Sequence, residues 1–147
     1  MDCYRVMLGL GSNLGNRQQL ILQAYGEIER LVGSIVIRSA FYETAPWGFQ
    51  SEHPFLNTVV CVETSFAPRE ILRKTQEIER LLGRRQKSVG GIYHDCPIDI
   101  DILCMTCGTV HELDLQIPHP LALQRDFVLR PLIEVFFEAI EKGKRPL

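Results

Sequence analysis

The chain has no excess of charge of either sign: 16 Lys and Arg stand against 18 Asp and Glu, and the isoelectric point is about 6.1. Nothing in the bulk composition therefore calls for nucleic acid or an anionic membrane as a partner, and any anion site is local. Long apolar runs are also missing. No stretch approaches the about 18 residues of a membrane-spanning helix, and the opening Met1–Leu8 meets Gly9 and Gly11 too soon to form a secretory leader. A cytoplasmic location is the expectation. A cysteine framework is absent too: Cys3, Cys61, Cys96, Cys104 and Cys107 are odd in number and irregular in spacing, which suits reduced thiols. Cys104 and Cys107 keep a C-x-x-C spacing with His111 four residues on, but a closed zinc site needs four ligands and no second pair is evident. There is no internal repeat, low-complexity segment or linker. A chain of 147 residues, 46% hydrophobic, is expected to fold as one domain over residues 1–147 with a core that needs no staples.

What is present is most informative at Pro97-Ile98-Asp99-Ile100-Asp101-Ile102-Leu103. In a strand, side chains alternate faces, so the three isoleucines point into a core while Asp99 and Asp101 stand together on the other face. Two carboxylates at that spacing repel by roughly 2 to 3 kcal/mol at an effective dielectric near 20. One or two Mg²⁺ ions would offset this, since hard divalent cations take carboxylate oxygens and bring nucleotide phosphates with them. The alternative is an ordinary solvated sheet face, where Asp is tolerated though depleted.

The rest of the chain alternates strand and helix patterns. Tyr4 to Leu10 reads as a strand entering a glycine-rich turn at Gly9–Asn13. Asn16 with Gln19 is a helix start, and apolar residues from Leu20 to Val32 recur at three and four up to Gly33. Ser34–Tyr42 is a second strand and Glu43–Pro54 an irregular loop. Phe55–Thr64 is a third strand, with Leu56, Thr58, Val60 and Val62 on one face and Asn57, Val59 and Cys61 on the other. Pro68 to Gly83 bounds a second helix, and the Asp-bearing strand follows a basic loop. This order predicts an α+β fold: a ferredoxin-like βαββαβ core with both helices on one face. A C-terminal hairpin over Thr106–Ile117 and a helix over Pro131–Ile140 would cover the second face.

Three further groups could carry chemistry. Arg84, Arg85 and Lys87 precede the Asp strand, and Arg125 and Arg130 follow it; guanidinium groups match phosphate oxygens bidentately, whereas a solvated loop at a helix C-terminus would look the same. The Glu43–Pro54 loop holds Trp47 and Phe49, with Phe55 and Asn57 at its end, a combination that can sandwich a flat heterocycle and bond its edge, or simply pack the loop down. His119 is fixed between Pro118 and Pro120. The run Gly9–Gly15 has neither the dinucleotide spacing nor a following G-K-S or G-K-T. It reads instead as a place where backbone can approach a ligand closely.

Leu8–Arg17, Tyr42–Pro46, Phe55-Leu56-Asn57, Ile98–Leu103, and Ile117–Pro120 with Arg125–Leu129 together resemble the 6-hydroxymethyl-7,8-dihydropterin pyrophosphokinase family of folate synthesis, in order and over nearly the whole chain. The resemblance implies transfer of pyrophosphate from ATP to the pterin hydroxymethyl group with release of AMP, with two Mg²⁺ and ATP as co-substrate, in a monomer that takes small molecules only. It implies that Asp99 and Asp101 bind the metals and that Arg84 assists catalysis. Gln76, Glu79, Arg84, Lys87, His119 and Arg125 would surround ATP. Thr44, Ala45, Pro46, Trp47, Phe55, Asn57 and Phe127 would form the pterin pocket. The family commonly reads W-G-P-R-T before the aspartates, whereas here Cys96 stands in the arginine's place, and a thiol supplies neither its charge nor its fork of donors. That departure keeps two other readings in view: a pterin- or nucleotide-binding regulatory domain with weakened catalysis, and a two-metal phosphohydrolase.

Overall fold

The alternation read along Phe55–Thr64 and the Asp strand appears in the fold as two cores, one on each face of a single sheet. The computed structural model describes residues 3–44, 53–84, 97–106, 108–120 and 126–141. Their elements run β1 (Tyr4–Ser12), α1 (Arg17–Leu31), β2 (Ser34–Arg38), β3 (Tyr42–Thr44), β4 (Phe55–Thr64), α2 (Pro68–Leu81), β5 (Asp99–Met105), β6 (Val110–Glu112), β7 (Leu115–Ile117) and α3 (Asp126–Glu141). The antiparallel main sheet has the order β2-β4-β1-β5, with β3 pairing the far end of β4.

On one face Val6, Leu8, Leu10, Val60, Val62, Ile98, Ile100 and Ile102 pack with Ile21, Ala24, Ile28, Ile71 and Ile78 of α1 and α2. Side chains of this size stabilise by about 1.5 to 3 kcal/mol each when fully buried. On the other face Met7, Ile37, Val59, Cys61 and Leu103 pack with Val128, Leu132 and Val135 of α3. The residues on this face alternate in sequence with those on the first, as a period of two requires.

Helix α1 starts where expected: the Asn16 side chain accepts the Gln19 N–H at 3.2 Å. It stops at Gly33, where a Cβ would lie 2.0 Å from the Glu63 carbonyl oxygen. Four expectations need correction. The glycine-rich turn begins later, because β1 runs through Ser12 and contains both Gly9 and Gly11. Ser34–Tyr42 is broken into β2 and β3 at Ser39, whose N–H donates to the Val59 carbonyl and whose hydroxyl accepts the Val59 N–H, both at 2.9 Å. The hairpin β6–β7 does not join α3 on the second face. Leu115 and Ile117 enter the core of α1 and α2, and Arg69 of α2 binds Asp114 at 2.8 Å as well as Glu112. Finally, α3 begins at Asp126 rather than Pro131, since Val128, Leu132 and Val135 form one buried stripe that outweighs the backbone bond Pro131 forgoes.

Candidate active site

The strand register puts Asp99 opposite Gly11 and Asp101 opposite Gly9 across β5 and β1. Gly11 in turn faces Asn57, and Gly9 faces Val59, across β1 and β4. Tyr42 of β3 pairs Asn57, and Thr44 pairs Phe55. One row of the second sheet face therefore reads Asp99, Gly11, Asn57, Tyr42 across four strands. The two glycines remove the side chains from its middle and leave a trough between the carboxylates and the Asn57–Phe55 wall. A Cβ on Gly11 would sit 2.9 Å from Asn57 Oδ1 and 3.4 Å from the Phe55 ring, and one on Gly9 would sit 3.3 Å from the Leu103 methyls. Close approach, not an unusual backbone angle, is what calls for glycine here.

Asn57 is buried, and its amide nitrogen donates to Thr44 Oγ1 at 2.9 Å and to the Tyr42 carbonyl at 3.4 Å. Its Oδ1 is the group that lies over Gly11 and turns an acceptor toward the trough. The shoulders of segment 45–52 are tied to the start of α1. Asn13 Nδ2 donates to the His53 carbonyl at 3.1 Å, while Arg17 donates to the Pro54 carbonyl at 2.9 Å and pairs with Glu43 at 2.7 Å.

Arg84 reaches the Asp strand because of how α2 ends. Gly83 takes φ +101°, Gly83 N–H donates to Arg80 O at 3.1 Å and Arg84 N–H donates to Glu79 O at 2.9 Å, the glycine-terminated double bond that folds a chain back over the last helical turn. Arg84 Nη1 then donates to Glu79 Oε2 at 3.2 Å, to the Ile98 carbonyl at 3.2 Å and to Asp99 Oδ1. Glu79 Oε2 also accepts the Ile100 N–H at 2.7 Å. Glu79 and Arg84 are 3% and 6% exposed, so each neutralises a charge that burial alone would penalise by several kcal/mol.

The structure thus brings Asp99, Asp101, Arg84 and Glu79 together on one side of the trough and Thr44, Phe55 and Asn57 on the other. His119 lies at the same edge of β5, its N–H donating to the Leu103 carbonyl at 2.7 Å. Gln76 lines a depression of about 350 Å³ along α2 beside Arg73, Lys74 and Arg80. Phe127 is placed only as the second residue of α3, and Ala45, Pro46, Trp47, Lys87, Cys96 and Arg125 lie outside the described residues. Among the described residues no three His, Cys, Asp or Glu side chains cluster as a metal cage. Burial, and after it the neighbouring Cys61, pushes the Cys104 thiol up to about 11, which keeps it protonated and a poor metal ligand. Asn13, Arg17 and Tyr42 stood within the motifs Leu8–Arg17 and Tyr42–Pro46 but were given no individual role, and Glu134 was not singled out. Only the paired glycines, two residues apart in an apolar run, carried a signal of the trough.

Carboxylates and a buried guanidinium along one side of a glycine-floored trough, with an amide and an aromatic along the other, define a site suited to joining a polyphosphate and a flat ring. Residues 7–136 match the family described as 7,8-dihydro-6-hydroxymethylpterin-pyrophosphokinase (HPPK), and the chain belongs to that family. It is 53% identical over 131 residues to the 2-amino-4-hydroxy-6-hydroxymethyldihydropteridine pyrophosphokinase of Porphyromonas gingivalis, covering 88% of this chain and 89% of that one. The enzyme of the same name from Aquifex aeolicus is 38% identical over 130 residues, covering 88% and 79%. Among solved structures, an HPPK-DHPS in complex with substrates superposes with a TM-score of 0.71 at 17% identity, over 91% of this chain and 40% of the other. Plasmodium falciparum HPPK-DHPS gives 0.69 at 18%, over 87% and 40%. The chain spans about two fifths of those longer proteins, whose likeness at this identity concerns the fold. No helix among the described residues is long and apolar enough to cross a membrane.

Proposed function

We propose that this chain transfers pyrophosphate from ATP to the hydroxymethyl group of 6-hydroxymethyl-7,8-dihydropterin and releases AMP, acting as a monomeric single domain in the cytoplasm. The reading is carried by one coincidence: a chain that is 53% identical to a pyrophosphokinase over 89% of that enzyme has its aspartate pair and its Asn57–Phe55 wall on the two sides of one glycine-floored trough. The strand order β2-β4-β1-β5, with α1 and α2 on one face, supports describing the core as ferredoxin-like.

The donor set suits two Mg²⁺. Asp99 and Asp101 offer hard oxygens from alternate positions of one strand, and Mg²⁺ typically takes one or two carboxylates and fills its other positions with water and phosphate oxygens. Bound there, the ions would neutralise the polyphosphate where charge builds on the leaving AMP. The chain's own residues do the rest by positioning. Asn57 Oδ1 accepts from a ring N–H and Phe55 stacks on the ring, with Thr44 at its edge; the family resemblance assigns Phe127 to the same ring and Ala45, Pro46 and Trp47 to its edge. Arg84, held by Glu79, directs charge toward the phosphates, and the family resemblance assigns Gln76, Lys87, His119 and Arg125 to the nucleotide. The hydroxyl would thereby be aligned for in-line attack on the β-phosphorus, and Asp101 is the candidate acceptor of its proton.

The test is to incubate the protein with ATP and Mg²⁺ with and without hydroxymethyl-dihydropterin and to follow AMP. Release that depends on the pterin is the expected result. Release without pterin would make the chain a phosphohydrolase, and pterin binding without AMP would make it a regulatory domain.

A further inference from the structure

Helix α3 reaches the border of the trough through Glu134, beside which Arg130 also acts on Tyr42. Glu134 Oε1 accepts the Tyr42 hydroxyl at 2.7 Å and its Oε2 accepts the Ala40 N–H. The two acceptors grip the corner at which the chain leaves β2 and starts β3. Before the corner, Ser39 is pinned to Val59 through its N–H and its hydroxyl; after it, Tyr42 resumes pairing opposite Asn57. The strand so started, Tyr42–Thr44, is three residues long and pairs only with β4 among the described residues. A strand that short contributes little cohesion of its own.

The Asn57 amide depends on that strand. Both of its described bonds go to β3, one to the Tyr42 carbonyl and one to the Thr44 hydroxyl, and these bonds decide that Oδ1 rather than the NH₂ lies over Gly11. The helix that holds Glu134 is itself fixed, since Leu132 and Val135 on either side are buried in the second core. Accordingly, we infer that Glu134 is a positioning residue for the pterin ring: from α3, without touching substrate, it fixes β3 and through β3 the direction in which Asn57 presents its carbonyl. This inference rests on the pterin reading of the trough.

The experiment compares Glu134→Ala, Glu134→Gln and Tyr42→Phe with wild type, varying pterin at saturating ATP and then ATP at saturating pterin. Loss of two hydrogen bonds is expected to raise the pterin KM of Glu134→Ala about 3- to 10-fold, with kcat and the ATP KM within about twofold of wild type. Tyr42→Phe, which removes one bond, is expected to show a smaller rise in the same constant. Glu134→Gln keeps one acceptor oxygen and is expected to recover part of the loss. Ile28→Ala, in the core on the opposite face of the sheet, serves as the core control, expected to lower the melting temperature while leaving the pterin KM of the folded fraction alone. An unchanged pterin KM in Glu134→Ala, or a parallel shift of both KM values and kcat, overturns the inference. Where Glu134→Ala does not fold, an unchanged pterin KM in Tyr42→Phe does so. A wild-type protein that makes no AMP would instead sink the reading of the trough.

Discussion

The second face of the sheet is divided along its strands into a half roofed by α3 and a half left as a trough, and the same three strands build both. Under α3, β1 contributes Met7, β4 contributes Val59 and Cys61, and β5 contributes Leu103. A few residues along, the same strands contribute Gly9 and Gly11, Asn57 and Phe55, and Asp99 and Asp101. Pairing continues through both halves, with a shift between Met7 and Leu8 where β1 meets β5. What changes is only the residue type at the positions facing that side. One half stabilises the fold by burying apolar area; the other holds carboxylates and an amide that need polar partners, such as Arg84 for Asp99 and Thr44 and Tyr42 for Asn57. The difference teaches that the roofed half is the stable platform on which the trough can keep groups that oppose burial.

Substitutions in the two halves should separate accordingly. Asp101→Ala is expected to reduce pterin-dependent AMP formation by about a thousandfold or more, roughly 4 kcal/mol of transition-state stabilisation, while the protein melts within a few degrees of wild type. Full activity in that variant would erase the functional half of the comparison. Leu103→Ala lies two residues along the same strand and is expected to do the opposite. It should destabilise by about 2 to 5 kcal/mol in denaturant titration, with kcat of the folded protein unaltered. Gly11→Ala tests the boundary, because its methyl would crowd Asn57 Oδ1. A rise of about tenfold in pterin KM is expected, equivalent to about 1.4 kcal/mol, with little change in the denaturation midpoint. The smallest effect concerns Cys104, whose thiol is shifted from 9.0 to about 11. A raised thiol pKa adds stability that is complete below the unfolded value and is lost as pH rises through about 11. Mass-resolved alkylation at pH 8 should accordingly label exposed Cys3 well before Cys104, and equal rates would contradict the buried setting.

Much of this division was legible beforehand. The period of two in Phe55–Thr64 and in Ile98–Leu103 assigned each side chain to the face it occupies, and the aspartates stood out because that period sets two like charges side by side on one face. The side of the sheet taken by the hairpin was not legible, since Leu115 and Ile117 alternate equally well against either face, and Arg69 of α2 settles the matter through Asp114. The break at Ser39 was hidden for a related reason. Apart from its hydroxyl's bond to the neighbouring Ala40 carbonyl, its polar contacts are with Val59 and Thr58, and β-propensity alone continues through it. Glu134 left no trace at all, because its partners are 92 and 94 residues away in sequence and no local period reports a contact of that range.

Strand β5 pairs only with β1 among the described strands, so its outer rim is the kind of surface onto which a foreign strand could add itself. That rim is already taken: Arg84 covers the Ile98 carbonyl, Glu79 the Ile100 N–H, and the His119 N–H the Leu103 carbonyl. The groups assembled around the aspartates therefore also act as a guard against self-association, and a variant that loosens Glu79 should show its defect in turbidity as well as in turnover.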